Sequence, residues 1–190
     1  MSAVVVQAGR FEVRARGFEP IAGRIAAWGR RTETGWEVRR VRAEGPWWGL
    51  DVSGSVAGAV ARGEGTARAD LAVLERTFRM GAGLAGEATA SFTAAACGGE
   101  LRVDAAVSGP RIDEASLRFD DVQGEVHVTR DGIEGSLASA TFAGGQIEGS
   151  YTLGSLGPPW THRIAARGES VSVAGFLAAL GIEPAGLSAG

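Results

Sequence analysis

The chain has 190 residues, a formal net charge of −3 and only 6 prolines beside 30 glycines. This charge leaves no basic footprint for DNA or RNA, so we exclude nucleic acid as a partner. The glycines follow no Gly-X-Y repeat, which excludes collagen and favours glycine-rich turns between strands, and the single cysteine, Cys97, excludes an intrachain disulfide.

Alternating apolar and polar residues predict β-strands from the first part of the chain onward. Phe11 and Val13 alternate with arginine and glutamate, and the same period of two returns between residues 36 and 43. It continues through Leu71 and Val73, where we predict another strand, and through Phe78 and Leu84, where we predict the next. Turn signals recur throughout and bring the total to about fourteen strands.

The adjacent rings of Trp47 and Trp48 follow Pro46 between two predicted strands. Tryptophan is large and apolar with one polar N–H, so two interpretations stay open. The pair either closes a turn at the end of the sheet or contacts lipid or a partner protein.

The clearest alternation lies between residues 117 and 153. Apolar residues there share one parity within each run, and the sequences Arg130-Asp131-Gly132 and Ala143-Gly144-Gly145 separate the runs. Asp-Gly and Gly-Gly pairs supply the positive φ of tight hairpin turns, so we predict an antiparallel meander. The predicted fold is therefore all-β, an elongated antiparallel meander curled into a groove, with one short helix near the C-terminus.

One face of this meander is predicted to be a continuous apolar surface. Its members alternate with polar residues along their strands and therefore point to one face. The turn that follows Phe142 shifts the alternation at that residue. The members are Val103, Val107, Leu117, Phe119, Val126, Val128, Ile133, Leu137, Phe142, Ile147, Tyr151 and Leu153. An exposed apolar strip of this length is normally covered or used for binding.

A short helix is predicted after residue 171. Ser172 offers a hydroxyl N-cap and Gly181 ends the segment before a proline. Its apolar positions are Val173, Phe176, Leu177 and Leu180, which leave hardly any polar face.

These patterns divide the chain into two parts. Residues 1–170 are repeated antiparallel strands that form an apolar groove, and residues 171–190 are a short apolar helix and the start of a further strand. Because Leu187-Ser188-Ala189-Gly190 resembles the opening of that strand, we expect the chain to be a fragment of a longer protein.

The titratable residues predict no catalytic or metal site. The acidic group Asp113, Glu114, Asp120, Asp121 and Glu125 matches no metal signature, and the parity change at Asp120-Asp121 is typical of a β-bulge. The histidines His127 and His162 lie far apart in the sequence. No nucleophile elbow, phosphate loop or zinc spacing occurs, so we expect no enzyme activity, no metal and no cofactor.

The sequence from Phe142 to Gly149, Phe-Ala-Gly-Gly-Gln-Ile-Glu-Gly, resembles an element that recurs in the AsmA/TamB family of bacterial envelope proteins. The segment from Trp48 to Gly58 is a looser form of it. The helix before Gly181 and the following Leu187-Ser-Ala-Gly are similar to the family's short helix that leads into a further strand. The resemblance covers about residues 32–190.

The resemblance implies a function in lipid transport. Family members carry an inner-membrane anchor and a long β-sheet groove in the periplasm, and they transport phospholipid or assist outer-membrane assembly. The resemblance implies that the twelve apolar residues above contact phospholipid acyl chains. It also implies that the partners are neighbouring β segments of the same long chain and outer-membrane assembly proteins. The membrane anchor would belong to the full-length parent.

A second hypothesis explains the same alternation. A structural or interaction β domain, such as a solenoid or an adhesin-like stalk, would fill its interior with side chains and leave no room for lipid.

Overall fold

A computed structural model describes residues 3–14, 19–154 and 161–182 of the chain. Eleven strands and two helices make up this part. They are β1 (Ala3–Val13), β2 (Ile21–Arg31), β3 (Gly35–Glu44), β4 (Trp48–Ala57), β5 (Val60–Asp70), α1 (Leu71–Phe78), β6 (Leu84–Cys97), β7 (Glu100–Glu114), β8 (Leu117–Thr129), β9 (Ile133–Phe142), β10 (Gly145–Leu153), β11 (His162–Glu169) and α2 (Val173–Ala179).

The strands form one antiparallel sheet whose spatial order is the order of the sequence, from β1 to β11. Each strand pairs with its neighbours in the chain, and β1 and β11 are the outermost strands. In the described part of the chain no second sheet packs on either face. The predicted all-β meander is confirmed. The predicted total of about fourteen strands is too high for the described residues, because several strands are longer than the spacing of turn signals suggested.

Helix α1 corrects three sequence predictions. Leu71 and Val73 were expected in one strand, Phe78 was expected in the next, and only one helix was expected in the chain. The Asp70 carboxylate accepts hydrogen bonds from the backbone N–H groups of Ala72 and Val73, at 2.9 and 3.2 Å. Arg79 ends the helix in the left-handed conformation with φ 52°. The N-cap at Asp70 therefore starts a helix where the alternation through Leu71 and Val73 predicted a strand.

Helix α2 confirms the predicted C-terminal helix. The Ser172 hydroxyl accepts a hydrogen bond from the Gly175 N–H at 3.1 Å, and Phe176 packs edge-on against Phe142 with ring centroids 6.1 Å apart. The further strand expected at residues 187–190 lies outside the described residues.

The hairpin turns confirm one of the two predicted positive-φ sites. Ala143 and Gly144 have φ of 48° and 82°, so Phe142 pairs directly with Gly145. Gly132 does not have a positive φ. At that turn the Thr129 N–H donates to the Gly132 carbonyl oxygen at 2.9 Å, and the Thr129 hydroxyl accepts from the Asp131 N–H at 3.3 Å.

A line of register shifts crosses the sheet from β6 to β10. Shifts follow Gly86 in β6, Asp120 in β8 and Ile147 in β10, and Asp121 has φ 53°. The bulge predicted at Asp120-Asp121 is therefore present. Since bulges bend strands and increase their twist, we call this line the bend line.

Candidate apolar binding face

All twelve residues of the predicted apolar surface lie on one face of the sheet, because directly paired residues of neighbouring strands point to the same side. Val103 pairs with Val128, and Val128 pairs with Ile133. The same register joins the remaining members, namely Val107, Leu117, Phe119, Val126, Leu137, Phe142, Ile147, Tyr151 and Leu153. We call this side of the sheet the apolar face and the other side the polar face.

The apolar face also runs through β2 to β6, which the sequence prediction did not include. Val52 pairs with both Val41 and Gly65, and Gly65 pairs with Phe92. The additional large members are Ile25, Val38, Val41, Trp48, Leu50, Val52, Val56 and Phe92. Their alternation was visible in the sequence, but glycine and alanine occupy the facing positions of β5 and weaken the apolar signal.

The bend line divides the twelve predicted residues into two panels. The short panel contains Leu117, Phe119, Phe142 and Ile147, and the long panel contains the other eight. Within the short panel the rings of Phe119 and Phe142 lie 5.3 Å apart.

One electrostatic relationship links the two panels across the apolar face. Tyr151 of the long panel lies in the same row across the strands as Ala105 of β7. Ala105 precedes Glu114 by nine residues. In a flat sheet Glu114 would lie roughly 30 Å further along β7. Yet the pKa of Tyr151 is raised by burial and then by the Glu114 carboxylate. Charges act weakly beyond about 10 Å in salt solution, so this effect indicates that the sheet is bent rather than flat between Glu114 and Tyr151.

Little of the apolar face is buried. The buried hydrophobic residues of the described chain are Ala43, Ala140, Phe142 and Leu153. Large side chains on the same face stay open to solvent, among them Trp36 at 42% and Leu101 at 43% exposure. The twelve predicted residues are half-buried, apart from Phe142 and Leu153, which are buried, so the face is partly open to solvent.

Trp48 shows how glycines shape one end of this face. Its ring packs 5.8 Å from that of Phe11, and Cβ atoms added at Gly23 and Gly45 would collide with it. The indole N–H is buried without a hydrogen-bond partner. Of the two interpretations of the tryptophan pair, this packing at a sheet end matches the first for Trp48.

The polar face carries ion pairs between neighbouring strands. The Arg40 Nε donates to both carboxylate oxygens of Asp51, at 2.9 and 3.0 Å, and this hydrogen bonding lowers the pKa of Asp51. Hydrogen bonds from Arg102 and then from His127 lower the pKa of Asp104. Nδ1 of His127 lies 2.5 Å from Asp104 Oδ1, and half of the His127 side chain is exposed, as expected for its parity.

Concave regions occur on both faces. One of about 1000 Å³ lies on the polar face across β3 to β9, and its charged lining residues are Arg40, Arg42, Glu44, Asp51, Arg68 and Glu125. A smaller one of about 240 Å³ on the apolar face is lined by Val38, Val52, Leu101 and alanines. A twisted sheet is saddle-shaped, so it is concave on one face along the strands and on the other face across them.

The acidic residues do not assemble into a metal site within the described residues. Asp120 lies 3.4 Å from the Nε atoms of both Arg111 and Arg118, which neutralise it. Asp121 forms the bulge described above. Neither described helix is long and apolar enough to span a membrane.

Comparisons with protein-family models, curated proteins and solved structures give no match to this chain. The likeness to the AsmA/TamB family therefore rests on the short motifs between residues 48 and 190 alone.

Proposed function

We propose that this chain is a non-enzymatic lipid-carrying protein whose apolar face holds phospholipid acyl chains. The motif from Phe142 to Gly149 supports a place among the AsmA/TamB-like proteins of the bacterial cell envelope. On this proposal the chain acts in the periplasm, in phospholipid transport between membranes or in outer-membrane assembly. Its partners are acyl chains, neighbouring β segments and outer-membrane assembly proteins.

The observation that carries the proposal is a single sheet whose apolar face, from β2 to β10, has no second layer over it in the described part of the chain. The chain exposes 12563 Å². A compact monomer of 19.5 kDa exposes roughly 8500 Å² by the usual scaling of area with mass. A single-layer sheet leaves both of its faces open and therefore has a larger area than a compact monomer. Burial of the apolar face against acyl chains would be favourable because it removes apolar surface from water.

The bend supports the same proposal. The bend line separates Ile147 from Tyr151, so acyl chains that lie across it on the apolar side would contact residues of both panels. Eleven strands at about 4.8 Å spacing make a face almost 50 Å across, longer than one extended acyl chain.

The alternative, a structural or interaction β domain with a side-chain-filled core, is less well supported. Such a core requires a second layer over the apolar face, and the described part of the chain contains one sheet and two short helices. Only four hydrophobic residues there are buried.

Photo-crosslinking distinguishes the two functions. A benzophenone amino acid in place of Val128 or Ile147 should capture phospholipid in bacterial cells that express the protein. Thr129 and Gln146 are matched control positions, since each is the chain neighbour of a test position and lies on the polar face. Lipid adducts at the two apolar positions alone support the proposal. Adducts with protein alone, or equal lipid capture on both faces, would favour the interaction domain.

A further inference from the structure

Three arginines on the polar face come together near the β1 edge. Arg10 and Arg24 are directly opposite each other in β1 and β2. Arg24 is opposite Glu44, Glu44 is opposite Gly49, and Gly49 is opposite Arg68. One transverse row of the sheet therefore carries all three guanidinium groups.

The missing side chain of Gly49 allows Arg68 to join the other two. A Cβ atom built on Gly49 would lie 2.8 Å from Arg68 Nε and 3.2 Å from its Cγ, so the arginine lies across this glycine toward β3. Arg10, Arg24 and Arg68 accordingly line one cavity of about 670 Å³.

The acidic residues of this cavity are already paired with other arginines. Glu12 Oε1 lies 2.5 Å from Arg14 Nε, and Glu44 Oε2 lies 3.2 Å from Arg42. Among the described residues, no carboxylate forms an ion pair with Arg10, Arg24 or Arg68. Three cations thus share the cavity with two carboxylates that each pair with another arginine, although like charges directly opposite in a sheet destabilise it.

We propose that Arg10, Arg24 and Arg68 bind a phosphate group on the polar face. Guanidinium groups donate paired N–H bonds to phosphate oxygens, and several of them around one cavity match the charge and the number of acceptors of a phosphate. This site is independent of the acyl-chain proposal, because it lies on the opposite face. The phosphate belongs either to a phospholipid headgroup or to a free phosphate compound.

The test compares two double variants of equal charge. Arg24→Gln/Arg68→Gln removes the site, and Arg62→Gln/Arg163→Gln is the control. Arg62 lies on the polar face of β5, roughly 20 Å along the strand from Arg68, and neither control arginine has a described ion pair. Circular dichroism checks that each variant folds. Binding is measured by calorimetry with inorganic phosphate and by flotation with phosphatidylglycerol or phosphatidylcholine vesicles.

We expect the site variant to bind at least about tenfold more weakly and the control to bind almost as wild type. Loss confined to vesicles identifies a headgroup, loss confined to inorganic phosphate identifies a free phosphate, and either supports the site. Equal loss in both variants means general charge attraction and overturns the proposal, as does wild-type protein that binds neither probe. The crosslinks at Val128 and Ile147 should persist in the site variant, so failure of one proposal is distinguishable from failure of the other.

Discussion

The carboxylate of Glu114, at the end of β7, acts on the phenol of Tyr151 in β10, with two strands between them in the sheet. Burial is the larger cause of the raised pKa of Tyr151, and Glu114 is the second. This relationship reports the angle between the two panels of the apolar face. It offers a way to test the curvature of the sheet in solution.

Glu114→Gln should lower the pKa of Tyr151 toward its ordinary value while the effect of burial remains. Tyr151 is the only tyrosine, so the rise of tyrosinate absorbance with pH reports this group alone. Because the pKa of Tyr151 is higher in the folded protein than in the unfolded chain, the free energy of unfolding is highest below the unfolded pKa of about 10. It falls as the pH rises through the folded pKa. Glu125→Gln, on the polar face, is the control. An unchanged titration in Glu114→Gln would mean that the panels do not fold together.

Leu137→Asp should abolish acyl-chain binding and leave the protein folded. Leu137 stands between Gly124 and Gly149 and is only half-buried, so water can hydrate the new carboxylate. We expect the free energy of unfolding to fall by about 1 kcal/mol in urea denaturation.

Ser136→Asp is the matched control for this prediction, since Ser136 is the neighbouring residue on the polar face. It should retain lipid binding in native mass spectrometry. Complete unfolding of Leu137→Asp would show instead that the apolar face is a closed core. Val126→Asp tests the same point one strand away, between Ala105 and Gly135.

Phe142→Ala should destabilise the protein strongly. The ring is 6% exposed and contacts both Phe119 and Phe176, so its removal leaves a cavity under α2 and costs about 3 to 5 kcal/mol. Phe176→Ala, at a position that is 43% exposed, should cost much less. Equal losses of unfolding free energy in the two variants would contradict the central position of Phe142.

Ile164→Lys should reduce self-association through the outermost strand. Ile164 lies in β11 and is 54% exposed, and an open edge strand pairs readily with another chain. A lysine there opposes such pairing, so the average mass in sedimentation should fall at high concentration. Leu101→Lys changes an exposed apolar residue of an interior strand and should leave the mass unchanged. A wild-type protein that is monomeric at every concentration would refute this prediction.

The sequence alone was sufficient for the fold class, for α2 and for the face of the twelve apolar residues. Strand alternation depends on the pleat of the backbone, and the caps at Ser172 and Gly181 act within a few residues. The bulge at Asp121 was also predicted, because an inserted residue reverses the parity of the residues that follow.

Other features required the tertiary structure. The eight residues of α1 follow a capping Asp70, but their alternation imitated a strand, and only the packed chain shows which local preference prevails. The effect of Glu114 on Tyr151, and the position of Arg24 and Arg68 around one cavity, depend on strand register and on the curvature of the sheet. Those arrangements arise from long-range pairing and twist, which no local pattern of residues encodes.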